Sequence, residues 1–215
     1  MTEAPRRRRL LIATRSAHKL GELRTLLDLP AIELLSLDDV QVEGEPAEDA
    51  DSFAGNALIK ARFYAARSDL PTLADDSGLE VDALGGGPGV RTRRYAGERA
   101  SDEQNNAKLL RELDGIPAGQ RTARYRCALV VIDPTLADGP GSRGEPIVRE
   151  GVFEGRIALA ARGSAGFGYD PVFEPLTEPP GGRTVGQLSA EEKNRVSHRA
   201  LAAQALAREL RRLGW

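Results

Sequence analysis

The chain has 215 residues, a formal net charge of −2 at pH 7, and 40% hydrophobic and 29% charged residues. This balance argues against a general nucleic-acid-binding role, and no stretch approaches the ~20 apolar residues of a membrane span. The one cysteine, Cys127, excludes an internal disulfide and suits a reducing, cytoplasmic compartment. No secretory signal follows the basic run Arg6–Arg9, and we expect residues 1–9 to form a flexible basic tail.

The first predicted elements are a buried strand and two helices. The apolar run at 10–14 predicts the strand. Leucines at helical spacing then predict a helix capped by Ser16, and a second helix begins after Ser52. Asn56 and Lys60 are four residues apart, so they share one face of that second helix.

An acid pair, Asp75-Asp76, accompanies the next predicted strand and is followed by the glycine-rich turn 85–89. At a strand end, both carboxylates would turn toward the same region. Two adjacent acids repel unless a cation joins them, and Mg²⁺ prefers oxygen ligands. Glu48 offers a third carboxylate. The alternative is a solvated acidic turn. The apolar residues on both sides of the pair argue against it.

The second half of the chain mixes helices and strands. A capping box at Ser101 opens a helix, and 123–132 is an apolar strand. After the Pro/Gly-rich loop 133–146 a further strand continues the sheet, and 163–175 is glycine-rich and irregular. The C-terminal segment reads as helix. It begins after a second capping box, Ser189 with Glu192, and is either unbroken or restarted at Ser197. This mixture predicts an α/β class with a mixed sheet.

Some polar and aromatic residues suit nucleotide chemistry. Lys19 and Lys60 lie in helices that follow turns; each alone is typical of a surface lysine, but beside acids they suit a polyphosphate. Glycines and aromatics at 166–171 suit stacking on a base, although a tight turn with core aromatics is equally compatible.

The alternatives for the C-terminal helix decide what Lys193 and His198 can do. In one unbroken helix they lie roughly 140° apart and do not readily meet one ligand. If Ser197 starts a new helix, His198 and Arg199 sit in its first turn. Cations at a helix start are unfavourable because they oppose the helix dipole, so a ligand-binding role would account for them there. The alternative is that these charged residues are solvated on a surface helix.

Together these blocks resemble one family, the inosine triphosphate pyrophosphatases. The matching stretches run in the family's order from about residue 10 to about residue 210 and are LLIATRSAHKLGEL, SFAGNALIKAR, TLADDSGLEVDALGGGPGVRTRRYAG, SDEQNNAKLL, GFGYDPVF and LSAEEKNRVSHR. The resemblance implies one domain over 10–215. Its fold would be a long mixed β-sheet flanked by helices, with two lobes around a central cleft, usually in a homodimer.

The resemblance also implies an activity. The family cleaves deaminated purine nucleoside triphosphates (ITP, dITP and XTP) to the monophosphate and pyrophosphate with Mg²⁺. The alternatives are a pyrophosphatase for other modified nucleotides and a non-catalytic nucleotide-binding module. The SHR and FGYD blocks argue against the first, and the complete acid and lysine set argues against the second.

By the same resemblance, Glu48 and Asp76 are Mg²⁺ ligands and Asp76 is the proton acceptor. The triphosphate loop comprises Thr14, Arg15, Ser16, Ala17, His18 and Lys19, although His18 read alone is a surface helix residue. The remaining candidate substrate contacts are Lys60, Ser77, Phe167, Gly168, Tyr169, Asp170, Lys193, His198 and Arg199.

The chain departs from the family pattern at three positions. Arg15 and Ser16 stand where the family commonly has a small residue and asparagine, and Gly55 stands where an acid is common. The first two place the detailed phosphate contacts of the loop, though not the fold, in question.

Overall fold

Six strands form one mixed sheet within residues 8–215, the part of the chain that the computed structural model describes. The strands are β1 (Arg8–Ala13), β2 (Ile32–Ser36), β3 (Thr72–Val81), β4 (Thr122–Ile132), β5 (Ile147–Ile157) and β6 (Phe173–Pro175), in the order β2-β1-β3-β4-β5-β6. β1 pairs in parallel with β2 and β3, whereas β5 and β6 are antiparallel. The predicted mixed sheet is confirmed.

The N-terminal boundary differs from the prediction. β1 begins at Arg8, so Arg8 and Arg9 are strand residues rather than part of a tail, and residues 1–7 lie outside the described part. Two edge strands of the sheet were not predicted. β2 is a five-residue strand, and β6 occupies the last three residues of the segment 163–175, so that segment is not irregular throughout.

The helices are α1 (Ala17–Leu26), α2 (Phe53–Ser68), α3 (Asp102–Glu112), α4 (Ala190–Val196) and α5 (His198–Arg212). A serine side chain accepts a backbone N–H at the start of each of the first four, as predicted for Ser16, Ser52, Ser101 and Ser189. Among the described residues, no helix has the length and apolar character needed to cross a membrane.

The C-terminal helix is interrupted at Ser197. Its backbone is extended (φ −67°, ψ 155°), which ends α4. Its Oγ accepts from Ala200 N at 3.2 Å, which caps α5. Of the two alternatives for this segment, the structure shows the restart at Ser197, and His198 and Arg199 are the first residues of α5.

The acid pair lies within a strand, not at its end. Asp75 and Asp76 are the fourth and fifth residues of the ten-residue β3, so the strand-end expectation is wrong. Aspartate is unfavourable in strands, but both carboxylates here meet lysines, as described below. The glycine turn is confirmed, since Gly85, Gly86 and Gly89 adopt positive φ after β3.

The described residues divide into two compact units. One contains the residues up to Asp76 with 128–150 and 202–215, and its core packs α2 alanines against Leu11 and Ala13 of β1. The other contains 77–127 and 151–201, and its core includes Leu79, Tyr125 and Phe173. Cys127 is buried.

Candidate functional site

In the first unit, two carboxylates each meet a lysine from a different helix. We call Lys19, Glu48, Lys60, Asp75 and Asp76 the carboxylate–lysine group. Lys19 Nζ from α1 donates to Asp75 Oδ1. Lys60 Nζ from α2 lies 2.9 Å from Asp76 Oδ1 and 3.1 Å from Glu48 Oε2. Because successive strand side chains point to opposite faces, the neighbouring acids serve different partners.

Asn56 joins this group, although the sequence analysis did not place it in the site. Its Nδ2 is 3.5 Å from Asp76 Oδ2, and its Oδ1 accepts from Ala50 N at 3.0 Å. Asn56 thus links the segment that carries Glu48 to the acid pair. The signal was available, because Asn56 is one helical turn before Lys60.

Gly55 permits the close approach of that segment. A Cβ at this position would lie 2.7 Å from Ala50 Cβ and 3.0 Å from Ser52 Oγ. Any side chain would therefore push the segment around Ala50 away from the start of α2. Glycine at 55 therefore lets the segment pack against the helix.

Burial and charge oppose each other in the group. Burial raises the pKa of Asp76, and this effect outweighs the nearby positive charges of Lys60 and Lys19. Burial alone would lower the pKa of Lys60, but the carboxylates of Asp76, Glu48 and Asp75 raise it overall. Lys60 therefore stays charged, and Asp76 has more affinity for a proton than a solvated aspartate has.

The donor set of the carboxylate–lysine group suits a hard cation. Glu48 Oε2 and Asp76 Oδ1 both lie within 3.1 Å of one point, the Lys60 ammonium. Within residues 8–215, however, no three His, Cys, Asp or Glu side chains come together as a metal-binding group. Mg²⁺ commonly takes one or two carboxylates together with substrate phosphates and water, so two protein ligands fit this ion.

The predicted phosphate loop connects β1 to α1. Ser16 Oγ accepts from Lys19 N at 3.4 Å, and Thr14 Oγ1 accepts from Ser16 N at 3.2 Å. Arg15 instead reaches the segment after β2, where its Nη2 donates to Val42 O at 2.6 Å. Ala17 and His18 are exposed at the start of α1, in agreement with the surface reading of His18.

In the second unit, Asp170 connects a loop, a lysine and a tyrosine. We call Phe167, Asp170, Lys193, His198 and Arg199 the aromatic–cation group. Asp170 is 2% exposed. Its Oδ2 accepts from Lys193 Nζ at 2.7 Å and from Phe167 N at 3.0 Å, and its Oδ1 accepts from the Tyr125 hydroxyl at 3.2 Å.

Two cations approach the half-buried ring of Phe167. Lys193 Nζ lies 4.6 Å from the ring centroid, and Arg199 Cζ lies 5.8 Å from it, distances typical of cation–π contacts. Arg199 Nη2 also donates to Ser77 Oγ at 2.8 Å. The restart of α5 brings Arg199 to Ser77, the residue that follows the acid pair.

The glycines of the loop have distinct roles. Gly166 has φ +77°, and a Cβ there would lie 2.0 Å from Asp170 Oδ2. Gly168 is held by α3, because its N–H donates to Asp102 Oδ2 at 2.7 Å and its carbonyl accepts from Asn106 Nδ2 at 3.0 Å. Sequence reasoning did not identify these two α3 contacts, which connect residues more than 60 positions apart in the chain.

Tyr169 and His198 are both buried. Tyr169 is 2% exposed, and its hydroxyl donates to Thr92 O at 2.9 Å, so its ring packs in the core and supports the loop. His198 is 5% exposed and stacks on Tyr125, with ring centroids 4.7 Å apart and an angle of 8° between the planes. Tyr125 was predicted only as a strand residue.

Comparison with known proteins agrees with the motifs. The model of the Ham1 family matches residues 10–209. A dITP/XTP pyrophosphatase from Methylococcus capsulatus is 47% identical over 96% of this chain and 98% of its own length, and one from Geobacillus kaustophilus is 48% identical over 92% and 91%. The solved structure of a HAM1 protein from Coxiella burnetii superposes with a TM-score of 0.82 at 35% identity, covering 95% of this chain and 99% of that one. These matches confirm the resemblance inferred from the sequence.

Proposed function

The chain belongs to the Ham1 family, and we propose that it is a Mg²⁺-dependent pyrophosphohydrolase of deaminated purine nucleoside triphosphates. Its substrates would be dITP, ITP and XTP. Water would add to the α phosphorus and the bond from that phosphorus to the α–β bridging oxygen would break, which gives the monophosphate and pyrophosphate. The names of the relatives support this class of substrate.

One observation carries the proposal. Two adjacent buried carboxylates of β3 each pair with a lysine, and the two lysines come from different helices. Asp75 and Asp76 together with Lys19 and Lys60 supply both a proton acceptor and positive charge. A triphosphate needs that charge, because negative charge grows on the leaving pyrophosphate as the bond breaks. A protein that merely bound nucleotide would have no need for two buried acids beside the phosphates.

Asp76 is the residue that takes a proton from the attacking water. Burial raises the pKa of this carboxyl, so it accepts a proton more readily than a solvated aspartate does. Lys60 holds the carboxylate in place. Lys19, which pairs with Asp75 in the first turn of α1, would contact the phosphates next to the backbone N–H groups of the helix start.

Glu48 and Asp76 are the residues that would hold Mg²⁺, which supplies positive charge beside the phosphates when bound. Asn56 supports both ligands, through Ala50 on the Glu48 side and directly on the Asp76 side. Lys60, already in contact with both carboxylates, keeps them close together before the ion and the nucleotide arrive.

The aromatic–cation group would bind the base. Phe167 offers a ring face for stacking. Arg199 offers only hydrogen-bond donors and His198 at least one, which suits O6 of hypoxanthine or xanthine, an acceptor. Adenine presents an amine there and would leave buried donors unpaired, at about 1–3 kcal/mol each. The group thus favours deaminated bases over adenine.

We also propose a homodimer that acts in the cytoplasm on free nucleotides, without a nucleic-acid partner. The dimer rests on the family resemblance. The compartment rests on the lone, buried Cys127, and the choice of free nucleotides rests on the near-neutral net charge of −2.

The deciding experiment is a panel of nucleoside triphosphates in which pyrophosphate, orthophosphate and monophosphate are quantified. We expect pyrophosphate from dITP, ITP and XTP, little from ATP and pyrimidine nucleotides, and none after chelation of divalent cations. A nucleoside diphosphate and orthophosphate as the first products would refute the mechanism. Preference for a modified pyrimidine would favour the sibling activity, and binding without turnover would favour a non-catalytic module.

A further inference from the structure

We propose that Tyr125 is a positioning residue that holds both the acid and the histidine of the aromatic–cation group in place. The inference rests on the proposed function, since it concerns how that group recognises the base. Tyr125 contacts Asp170 through its hydroxyl and His198 through its ring. It is not itself a substrate contact, because it is 7% exposed and belongs to the core of the second unit.

The hydroxyl of Tyr125 fixes the orientation of the Asp170 carboxylate. It donates to Oδ1 at 3.2 Å, while Oδ2 accepts from Lys193 Nζ and Phe167 N. Because Tyr125 of β4 holds Oδ1, Oδ2 faces Phe167 of the loop and Lys193. Both partners of Oδ2 belong to the group that would bind the base, so a rotation of the carboxylate would disturb both at once.

The ring of Tyr125 supports His198. The two rings are nearly parallel, 8° apart in orientation, and their centroids are 4.7 Å apart. A flat partner on one face restricts the imidazole to one plane and so directs the ring edge, which carries the N–H groups. His198 is the first residue of α5, where helix geometry alone leaves the side chain more freedom than it has inside a helix.

Tyr125 is itself firmly anchored. Its ring packs against Phe173 with centroids 4.7 Å apart and a tilt of 48°, and it is a residue of β4. Burial, together with the negative charge of Asp170, raises the pKa of its hydroxyl well above the ordinary value. The hydroxyl therefore keeps its proton and remains a donor to Asp170 throughout the neutral pH range.

The two contacts can be separated by substitution. Tyr125→Phe keeps the ring and removes the hydroxyl, and Tyr125→Leu removes both. The matched control is Tyr95→Phe, which also removes a hydroxyl that donates to a carboxylate, that of Glu112, in the same unit. Tyr95 has no part in either functional group defined above.

The experiment measures kcat and KM for dITP and for dATP, together with a melting curve for each variant. We expect Tyr125→Phe to raise KM for dITP about tenfold, equivalent to 1.4 kcal/mol, with kcat within about threefold of the unsubstituted enzyme. Tyr125→Leu should also reduce the dITP-to-dATP ratio of kcat/KM about tenfold. Tyr95→Phe should leave KM and the ratio unchanged, whatever its melting temperature.

Failure of this inference is distinguishable from failure of the proposed function. If the unsubstituted enzyme releases no pyrophosphate from dITP, the proposed function falls. If it does, and Tyr125→Phe keeps the KM of the unsubstituted enzyme, the hydroxyl does not position Asp170. If a folded Tyr125→Leu enzyme keeps the dITP-to-dATP ratio of kcat/KM, the ring does not position His198. If Tyr95→Phe changes KM as much as Tyr125→Phe does, the effect is a general structural one and the inference is wrong.

Discussion

Replacing Asp76 with asparagine tests whether the two neighbouring carboxylates have different duties. The amide is nearly the same size, and its oxygen can still accept from Lys60, which the carboxylate meets at 2.9 Å. It cannot take a proton from water, and it is a weaker ligand for a hard cation. We therefore expect Asp76→Asn to fold and to lose at least ~10²-fold in kcat, in the range typical of losing a general base.

We expect Asp76→Asn to have only a small effect on stability. Asp76 is 8% exposed, and burial is the largest influence on its pKa, so the neutral amide avoids a desolvation penalty while Lys60 keeps Glu48 as a partner. These changes offset each other. A net change of about 1 kcal/mol would move the melting temperature by roughly 2–4 °C in a chain of this size.

Asp75→Asn is the matched control. Asp75 accepts from Lys19, so its loss would loosen a phosphate contact and leave the proton acceptor in place. We expect a reduction in kcat of about tenfold or less. The assay is single-turnover hydrolysis of dITP by both variants at saturating Mg²⁺, with a melting curve for each. A folded Asp76→Asn enzyme with nearly normal turnover would refute the assignment, and the reverse order would move the base to Asp75.

The remaining predictions concern base selection, the metal site and the loop. Arg199→Ala should lower the ITP-to-ATP ratio of kcat/KM about tenfold or more, because the donor to O6 is lost. The control is Arg195→Ala, which removes a surface ion pair with Glu191 and should leave the ratio unchanged. An unchanged ratio in Arg199→Ala would show that Arg199 does not recognise the base. Gly55→Ala should raise the Mg²⁺ concentration that gives half-maximal activity several-fold, since a Cβ would meet Ala50 at 2.7 Å; Gly21→Ala, where a Cβ meets open space, should leave it unchanged and raise stability by up to about 1 kcal/mol. Equal magnesium titrations for these two glycine variants would argue against the packing role of Gly55. Gly166→Ala should cost about 1–3 kcal/mol of unfolding free energy and raise KM for dITP, because its Cβ would collide with Asp170 Oδ2; a variant of normal stability and KM would show that the loop can shift without consequence.

Local signals predicted the helices well. A capping box is complete within four residues, so Ser101 with Gln104 and Ser189 with Glu192 mark helix starts in the sequence itself, and the structure contains both boxes. The break at Ser197 is also a local signal. A serine at this position can either continue a helix or cap a new one, so the sequence leaves both possibilities open.

Long-range pairing could not be predicted in the same way. Aspartate is unfavourable inside strands, so the sequence predicts the acid pair at a strand end. Its partners lie far along the chain, since 56 positions separate Lys19 from Asp75 and 16 separate Lys60 from Asp76. The contact of Tyr125 with Asp170 spans 45 positions. β2 was missed because a short edge strand carries only a weak pattern.

The order of the parallel strands explains why adjacent acids meet different helices. β2 and β3 lie on opposite sides of β1 and run parallel to it. α1 connects β1 to β2, and α2 connects β2 to β3, so the two crossovers run in opposite directions across the sheet. Right-handed crossovers then place the two helices on opposite faces. Side chains alternate along β3, so Asp75 meets Lys19 of α1 and Asp76 meets Lys60 of α2. Two adjacent acids in the middle of β3 therefore bring together one lysine from each face of the sheet. Two acids on the same face of the sheet could pair only with lysines from that face.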